Sequence, residues 1–77
     1  MNQVVKIIQR YTALPNEAIT DDAILKDDLG VDSVTYYEIM SALETEYEIE
    51  EIPDDELLSV KTVKDIKELV QKYALSI

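Results

Sequence analysis

Apolar residues recur at helical spacing in three stretches of this sequence, and that periodicity limits the possible folds more than any other feature. The first stretch runs from Asn2 to Leu14 and stops before Pro15, which disfavours the helical conformation in the residue before it. The second runs from Ser33 to Glu48, and the third opens at Thr62 with the form of a capping box. The pattern predicts amphipathic helices packed around one shared core.

A fourth, shorter helix is predicted after Pro53, where three consecutive carboxylates suit the positive end of a helix dipole. A long connection from Pro15 to Asp32 contains Gly30, the only glycine. We therefore expect an all-α fold, a four-helix bundle with a long first loop and a short third helix, as a single domain over residues 1–77. The predicted helices cover about residues 2–14, 33–48, 54–59 and 62–75.

The charge is strongly acidic and unevenly distributed. Seventeen acidic and seven basic residues give a net charge of −10. Residues 27–56 hold twelve of the acids and no Lys or Arg. One interpretation of this acidic segment is a solvated face, and the other is a field that steers basic partner proteins. Either way, we expect no binding of nucleic acid and no stable association with a membrane surface.

Several classes of chemistry are excluded by the residues that are missing. The chain has no Cys and no His, so it can form neither a disulfide nor a Ser–His or Cys–His pair. An EF-hand alignment on Gly30 puts Leu25 and Tyr36 at ligand positions, so we predict no metal site. We expect a protein that is not an enzyme and is monomeric. Because no apolar signal-like segment is seen, we expect a cytoplasmic location.

Ser33 lies where the long loop meets the second predicted helix, directly after Asp32. Taken alone, an Asp-Ser pair at such a junction is more often a helix cap than a functional site. The neighbouring sequence favours a site. The segments D-L-G-V-D-S-V (residues 28–34) and E-I-P-D (residues 51–54), on either side of a Glu-rich helix, resemble the acyl and peptidyl carrier protein family.

This resemblance implies that Ser33 receives 4′-phosphopantetheine from coenzyme A, with Asp32 as its motif neighbour. The phosphodiester would lie near the backbone amides that open the helix. The implied partners are a phosphopantetheinyl transferase (a holo-acyl-carrier synthase) and acyl-transferring and condensing enzymes with basic docking patches. By the same resemblance, the partner-facing residues are Val34, Tyr37, Glu38, Ser41 and Glu44, and the acyl pocket is formed by Ile39, Leu43, Ile52 and Ile66.

Four positions depart from the pattern of fatty-acid carriers: Val34, Thr35, Tyr37 and Ser41 stand where that pattern has Leu, Asp, an aliphatic residue and Met. The expected function is therefore an acyl carrier of either fatty acid synthesis or a specialised acyl or polyketide pathway. The alternatives are an aminoacyl or peptidyl carrier and a non-carrier acidic interaction module with Ser33 as a simple cap.

Overall fold

Four α-helices and one short 3₁₀ helix (Asn16–Ala18) make up the regular structure of residues 3–74. The computed structural model describes residues 3–74. Its helices are α1 (Gln3–Thr12), α2 (Ser33–Glu46), α3 (Asp54–Ser59) and α4 (Val63–Tyr73). Within these residues the only β-type pairing is an isolated bridge between Ile24 and Thr62. The prediction of an all-α fold with a long first loop and a short third helix is confirmed. No helix in the described part is long and apolar enough to cross a membrane.

The core is built from the predicted apolar stripes. All four helices contribute buried side chains, because each stripe recurs on one helical face. Residues from the long loop complete the same core, although Ile24 of that loop stays exposed. The buried residues of the helices are Val4, Ile7, Ile8, Ile39, Met40, Leu43, Leu57, Val63, Ile66, Leu69 and Val70, and those of the long loop are Ile19, Ala23, Leu25, Leu29 and Val31.

The long loop is fastened to the start of α4 by backbone hydrogen bonds. The Leu25 amide donates to the Lys61 carbonyl (2.9 Å), and the Val63 amide donates to the Ala23 carbonyl (3.1 Å). An ion pair between Lys67 and Asp21 adds a side-chain link to α4. These bonds satisfy backbone groups of a loop that lies on the core, as buried polar groups require.

The first helix is shorter than predicted. Its predicted start at Asn2 lies outside the described residues, and α1 ends at Thr12, two residues before the predicted end. Ala13 adopts a left-handed conformation (φ 60°), which stops the helix before Pro15 can do so. Tyr11 shares the helical spacing of Val4, Ile7 and Ile8 but is 39% exposed, and it lines a groove together with residues of α2.

The second helix ends at Glu46 and not at the predicted Glu48. The Ile49 amide donates to the Glu44 carbonyl (2.9 Å), and the Glu48 amide donates to the Thr45 carbonyl (3.4 Å). This is a Schellman motif, with Glu48 at the left-handed position (φ 56°) that glycine usually occupies. The helix is ended by its own terminal hydrogen bonds.

The last helix begins one residue later than predicted. Thr62 is its N-cap: the Thr62 side chain accepts from the Asp65 amide and the Asp65 side chain accepts from the Thr62 amide. The predicted capping box is thus confirmed, and it leaves Val63 as the first helical residue. The helix ends at Tyr73, with Ala74 as C-cap, and the predicted end near residue 75 lies outside the described residues.

Candidate functional site

Asp32 and Ser33 take different places at the start of α2. Asp32 is the N-cap: its backbone is extended, and its Oδ1 accepts a hydrogen bond from the Thr35 amide (2.8 Å). Ser33 is the first helical residue, is exposed, and its hydroxyl makes no hydrogen bond within residues 3–74. Capping, which the sequence left shared between the two residues, therefore belongs to Asp32, and the Ser33 hydroxyl faces solvent.

Backbone geometry just before this pair sets its position. Gly30 has a positive φ of 68°, a conformation that residues with a Cβ adopt only with strain. It lies between two buried side chains, Leu29 and Val31, which anchor the loop in the core. The Val31 amide also donates to the Leu25 carbonyl (2.8 Å). The residues just before α2 are therefore held in one position against the core.

The Asp32 carboxylate uses the amide donor that an anion would otherwise take at this helix end. Its hydrogen bond from the Thr35 amide is the main reason why the pKa of Asp32 is lowered from its ordinary value. A second negative group on the same amides would be repelled. The expectation that a phosphodiester on Ser33 lies near the opening amides of α2 stays a prediction, with Asp32 already bound to one of those amides.

A cavity of about 640 Å³ opens beside Ser33, between the long loop, the start of α2 and the segment that joins α3 to α4. Its lining includes two lysines and two aspartates, so the formal charges of the cavity sum to zero, although the surrounding protein surface is acidic. The remaining walls are mostly apolar. The lining residues are Ile24, Leu25, Lys26, Asp27, Val31, Asp32, Ser33, Tyr36, Val60, Lys61 and Thr62.

Tyr36 contributes one wall of this cavity and also bonds to α3. Its hydroxyl donates to the Leu57 carbonyl at 2.7 Å. Burial raises the pKa of Tyr36 to about 12, so the phenol keeps its proton at neutral pH. Tyr36 shares the helical spacing of the buried residues Ile39 and Leu43, and the sequence predicted no role for it at the site. The signal that could have revealed more is the residue type, because a tyrosine on an inward stripe needs an acceptor for its hydroxyl.

The four residues predicted to form an acyl pocket lie elsewhere. They are packed into the centre of the core, each with no more than 1% of its surface exposed, and none of them lines the cavity at Ser33. The residues are Ile39, Leu43, Ile52 and Ile66. The cavity next to Ser33 is thus a different space from the one that the family resemblance implied.

Most of the predicted partner-facing residues meet at one groove between α1 and α2. Val34 is 69% and Tyr37 50% exposed, which a partner-facing position requires. Glu44 is only half-exposed and is not part of the groove lining. Tyr11 of α1 also lines the groove, a role that the sequence did not predict because its helical spacing matches that of the buried residues of α1. The groove is lined by Tyr11, Val34, Tyr37, Glu38, Ser41, Ala42 and Thr45.

Comparison with known proteins finds one matching family and several similar proteins. Residues 2–70 match the family described as the phosphopantetheine attachment site. An acyl carrier protein of Syntrophobacter fumaroxidans (strain DSM 10017 / MPOB) is 40% identical over 70 residues, which cover 91% of this chain and 85% of that protein. The acyl carrier protein of Thermobifida fusca (strain YX) is 33% identical over 72 residues, covering 94% and 90%. That of Buchnera aphidicola subsp. Baizongia pistaciae (strain Bp) is 34% identical over 71 residues, covering 92% and 90%.

These matches extend over nearly the whole chain and include both the loop before α2 and the helix itself. The resemblance noted in the sequence is thereby confirmed. The chain belongs to the acyl carrier protein family, a group of carrier proteins and not enzymes, whose prosthetic group is phosphopantetheine.

Proposed function

We propose that Ser33 is the residue to which phosphopantetheine is attached. The observation that supports this most directly is the state of its hydroxyl, which is exposed at the first residue of α2 and makes no hydrogen bond among the described residues. Asp32 takes over the capping that a serine at this position often performs. A transferase can therefore modify Ser33 without removing an interaction that α2 needs.

The residues around Ser33 fit the group. When bound, phosphopantetheine supplies a thiol that holds an acyl group as a thioester. Lys26 and Lys61 line the cavity beside Ser33, and their positive charges offset those of Asp27 and Asp32 in the same lining, so the phosphodiester would not meet a purely acidic wall. Asp32 holds the start of α2 in place through the Thr35 amide. The apolar walls of the cavity offer a surface for the arm or its cargo.

The proposed role is to present acyl groups to enzymes of fatty acid synthesis or of a specialised acyl or polyketide pathway, in the cytoplasm. The proposed partners are a phosphopantetheinyl transferase and acyl-transferring and condensing enzymes that carry basic docking patches. Their docking is proposed to use Val34, Tyr37 and Ser41 together with the carboxylates of Glu38 and Glu44, because a strongly acidic surface attracts a basic one. An acyl pocket at Ile39, Leu43, Ile52 and Ile66 stays a prediction.

A mass measurement tests the attachment. The purified protein is incubated with coenzyme A, magnesium and a broad-specificity phosphopantetheinyl transferase, and its intact mass is recorded. We expect the mass to rise by one phosphopantetheinyl group in the unmodified chain and to stay unchanged in Ser33→Ala. Thr35→Ala removes a neighbouring hydroxyl and is expected to gain the group normally. Failure of several active transferases to modify the chain would favour a non-carrier acidic module.

A further inference from the structure

We propose that Tyr36 determines where the cargo lies: its hydrogen bond to α3 closes the route from Ser33 into the core and keeps a short apolar acyl group in the cavity beside Ser33. This inference rests on the proposed attachment at Ser33. It assigns to Tyr36 a role in cargo selection, in addition to its role in packing.

The position of Tyr36 on α2 is the first support. Tyr36 follows Ser33 by three residues and Ile39 follows Tyr36 by three, so the three side chains succeed one another along neighbouring turns of the helix. Ser33 is exposed, Tyr36 is half-buried and Ile39 is fully buried. A group that moved from Ser33 towards the core along α2 would meet the Tyr36 ring first.

The hydrogen bond of Tyr36 is the second support. At 2.7 Å, the distance between the Tyr36 hydroxyl and the Leu57 carbonyl oxygen is that of a well-formed O–H···O bond. Separating α2 from α3 would break this bond and leave a half-buried hydroxyl without a partner, which is unfavourable. Since the pKa of Tyr36 is about 12, the hydroxyl remains a donor throughout the physiological pH range.

Side-chain hydrogen bonds also attach α3 to α4. Glu56 accepts hydrogen bonds from Lys72 (3.0 Å) and from the Tyr73 hydroxyl of α4. A helix of six residues depends on such tertiary contacts, because it is too short to be stable alone. Of these two attachments, the Tyr36 hydrogen bond is the one that borders the Ser33 cavity, so a cargo moving from that cavity towards the core under α3 would meet it first.

The chemistry of the cavity defines the class of cargo. Ile24, Leu25, Val31 and Val60 provide apolar walls, and the charged residues in the lining include both signs. The cavity is at the surface, directly beside Ser33, so it suits a short apolar acyl group. A cargo held there remains open to a docked enzyme, whereas a cargo in the core would first have to be released.

The experiment compares an octanoyl group loaded from octanoyl-coenzyme A on the unmodified chain, on Tyr36→Phe and on Tyr73→Phe. Methyl chemical shifts report the location of the cargo. In the unmodified chain we expect loading to shift the methyl signals of Ile24, Val31 and Val60. In Tyr36→Phe the shifts should extend to the core methyl groups of Ile39, Leu43 and Ile66. Core shifts in the unmodified chain, or the same pattern in both proteins, would overturn the proposal.

Tyr73→Phe is the matched control, because it also removes one phenol hydroxyl that holds α3 but leaves the Ser33 cavity unchanged. We expect its shifts to match those of the unmodified chain. Core shifts in this variant would mean that any loosening of α3 admits the cargo, which contradicts a specific role of Tyr36. Circular dichroism of the unloaded variants confirms that both are folded before loading.

A second readout is the cleavage of the thioester by hydroxylamine. The octanoyl thioester should be cleaved several-fold more slowly on Tyr36→Phe than on the unmodified chain, whereas an acetyl thioester, too short to reach the core, should be cleaved equally on both. Equal rates for the octanoyl group would contradict the proposal. Intact mass separates the two hypotheses: no loading of the unmodified chain overturns attachment at Ser33 and this inference together, while normal loading with unchanged shifts overturns only this inference.

Discussion

Two neighbouring residues have separate roles at the start of α2. The Asp32 carboxylate accepts the Thr35 amide and holds the helix end, and the Ser33 hydroxyl stays exposed beside the cavity. Because a cap depends on a carboxylate and attachment depends on a hydroxyl, a change at one residue should leave the function of the other largely intact. The division is therefore testable one side chain at a time.

Replacing Asp32 with Ala is expected to lower the stability at neutral pH, because it removes an N-cap. The pKa of Asp32 is lowered below its ordinary 3.8 by the hydrogen bond from the Thr35 amide. Folding thus favours the ionised form, so the contribution of Asp32 is fully present above about pH 4 and is lost as the pH falls through the lower folded-state pKa. Urea unfolding at neutral pH and at a series of values below pH 4 should show the two proteins converging.

The control for this prediction is Asp22→Ala, which removes the same charge from an exposed side chain that makes no hydrogen bond within the described residues. We expect it to be at least as stable as the unmodified chain, since it relieves repulsion in an acidic protein. If the two substitutions had equal effects at every pH, Asp32 would not be acting as a cap.

The helices are ended by local backbone geometry as much as by sequence breakers. At the C-terminus of α2, Glu48 takes the left-handed position of the Schellman motif. Ile49, which follows it, is buried and packs in the same cluster as Leu43. The end of α2 is thus determined by an apolar contact and two terminal hydrogen bonds, although the residue at the left-handed position is unfavourable for that conformation.

Glu48→Gly should therefore stabilise the protein. The left-handed conformation costs a non-glycine residue roughly 1–2 kcal/mol, and the greater freedom of glycine in the unfolded chain offsets about 0.5–1 kcal/mol of that gain. We expect the free energy of unfolding to rise by about 0.5–1 kcal/mol, measured by urea denaturation. Glu48→Gln removes the charge and keeps the strained backbone, so an equal rise in both variants would attribute the effect to charge.

Over the whole molecule, the acidic segment of residues 27–56 covers α2, the first half of α3 and the connection between them. The ion pairs of the described residues lie at its margins or beyond it, at Lys67–Asp21 and Lys72–Glu56. Most of its carboxylates are consequently without a basic neighbour. Such a one-signed surface is expected to accelerate encounters with basic partners.

Reversal of single charges tests this steering. Glu38→Lys and Glu44→Lys are expected to slow association with the phosphopantetheinyl transferase several-fold, measured by stopped-flow mixing at low ionic strength. Glu17→Lys, an exposed residue outside the acidic segment, changes the net charge equally, from −10 to −8, since one negative charge is replaced by one positive charge. It should have the smaller effect.

The differences among these three variants should disappear in concentrated salt, because the Debye length falls to about 3 Å at 1 M. Equal slowing by all three at low ionic strength would assign the effect to net charge alone. The docking face on α2 would then be misplaced.

Much of this structure can be predicted from residues that are close together in the sequence. Helical periodicity predicted three of the helices and their buried faces, and the carboxylates after Pro53 predicted the short third helix. The Thr62–Asp65 capping box was predicted from four consecutive letters. Ser33 was singled out by its motif and its position. These features depend on the spacing of apolar residues and on hydrogen bonds between near neighbours, which a sequence displays directly.

What the tertiary structure decided involves residues that are distant in the chain. The Tyr36 hydroxyl donates to the Leu57 carbonyl, and Tyr11 lines the groove on α2. Val60 and Lys61 line the cavity at Ser33. The predicted helix ends at Leu14 and Glu48 were wrong. The helices are ended by left-handed conformations at Ala13 and Glu48, and neither residue is a glycine, which is the residue type that would have indicated such a conformation. The sequence by itself determined the helices, the family and the candidate serine. Only the packing of α2 against α1, α3 and the long loop decided which surface and which cavity surround that serine, because side-chain contacts depend on how the helices assemble.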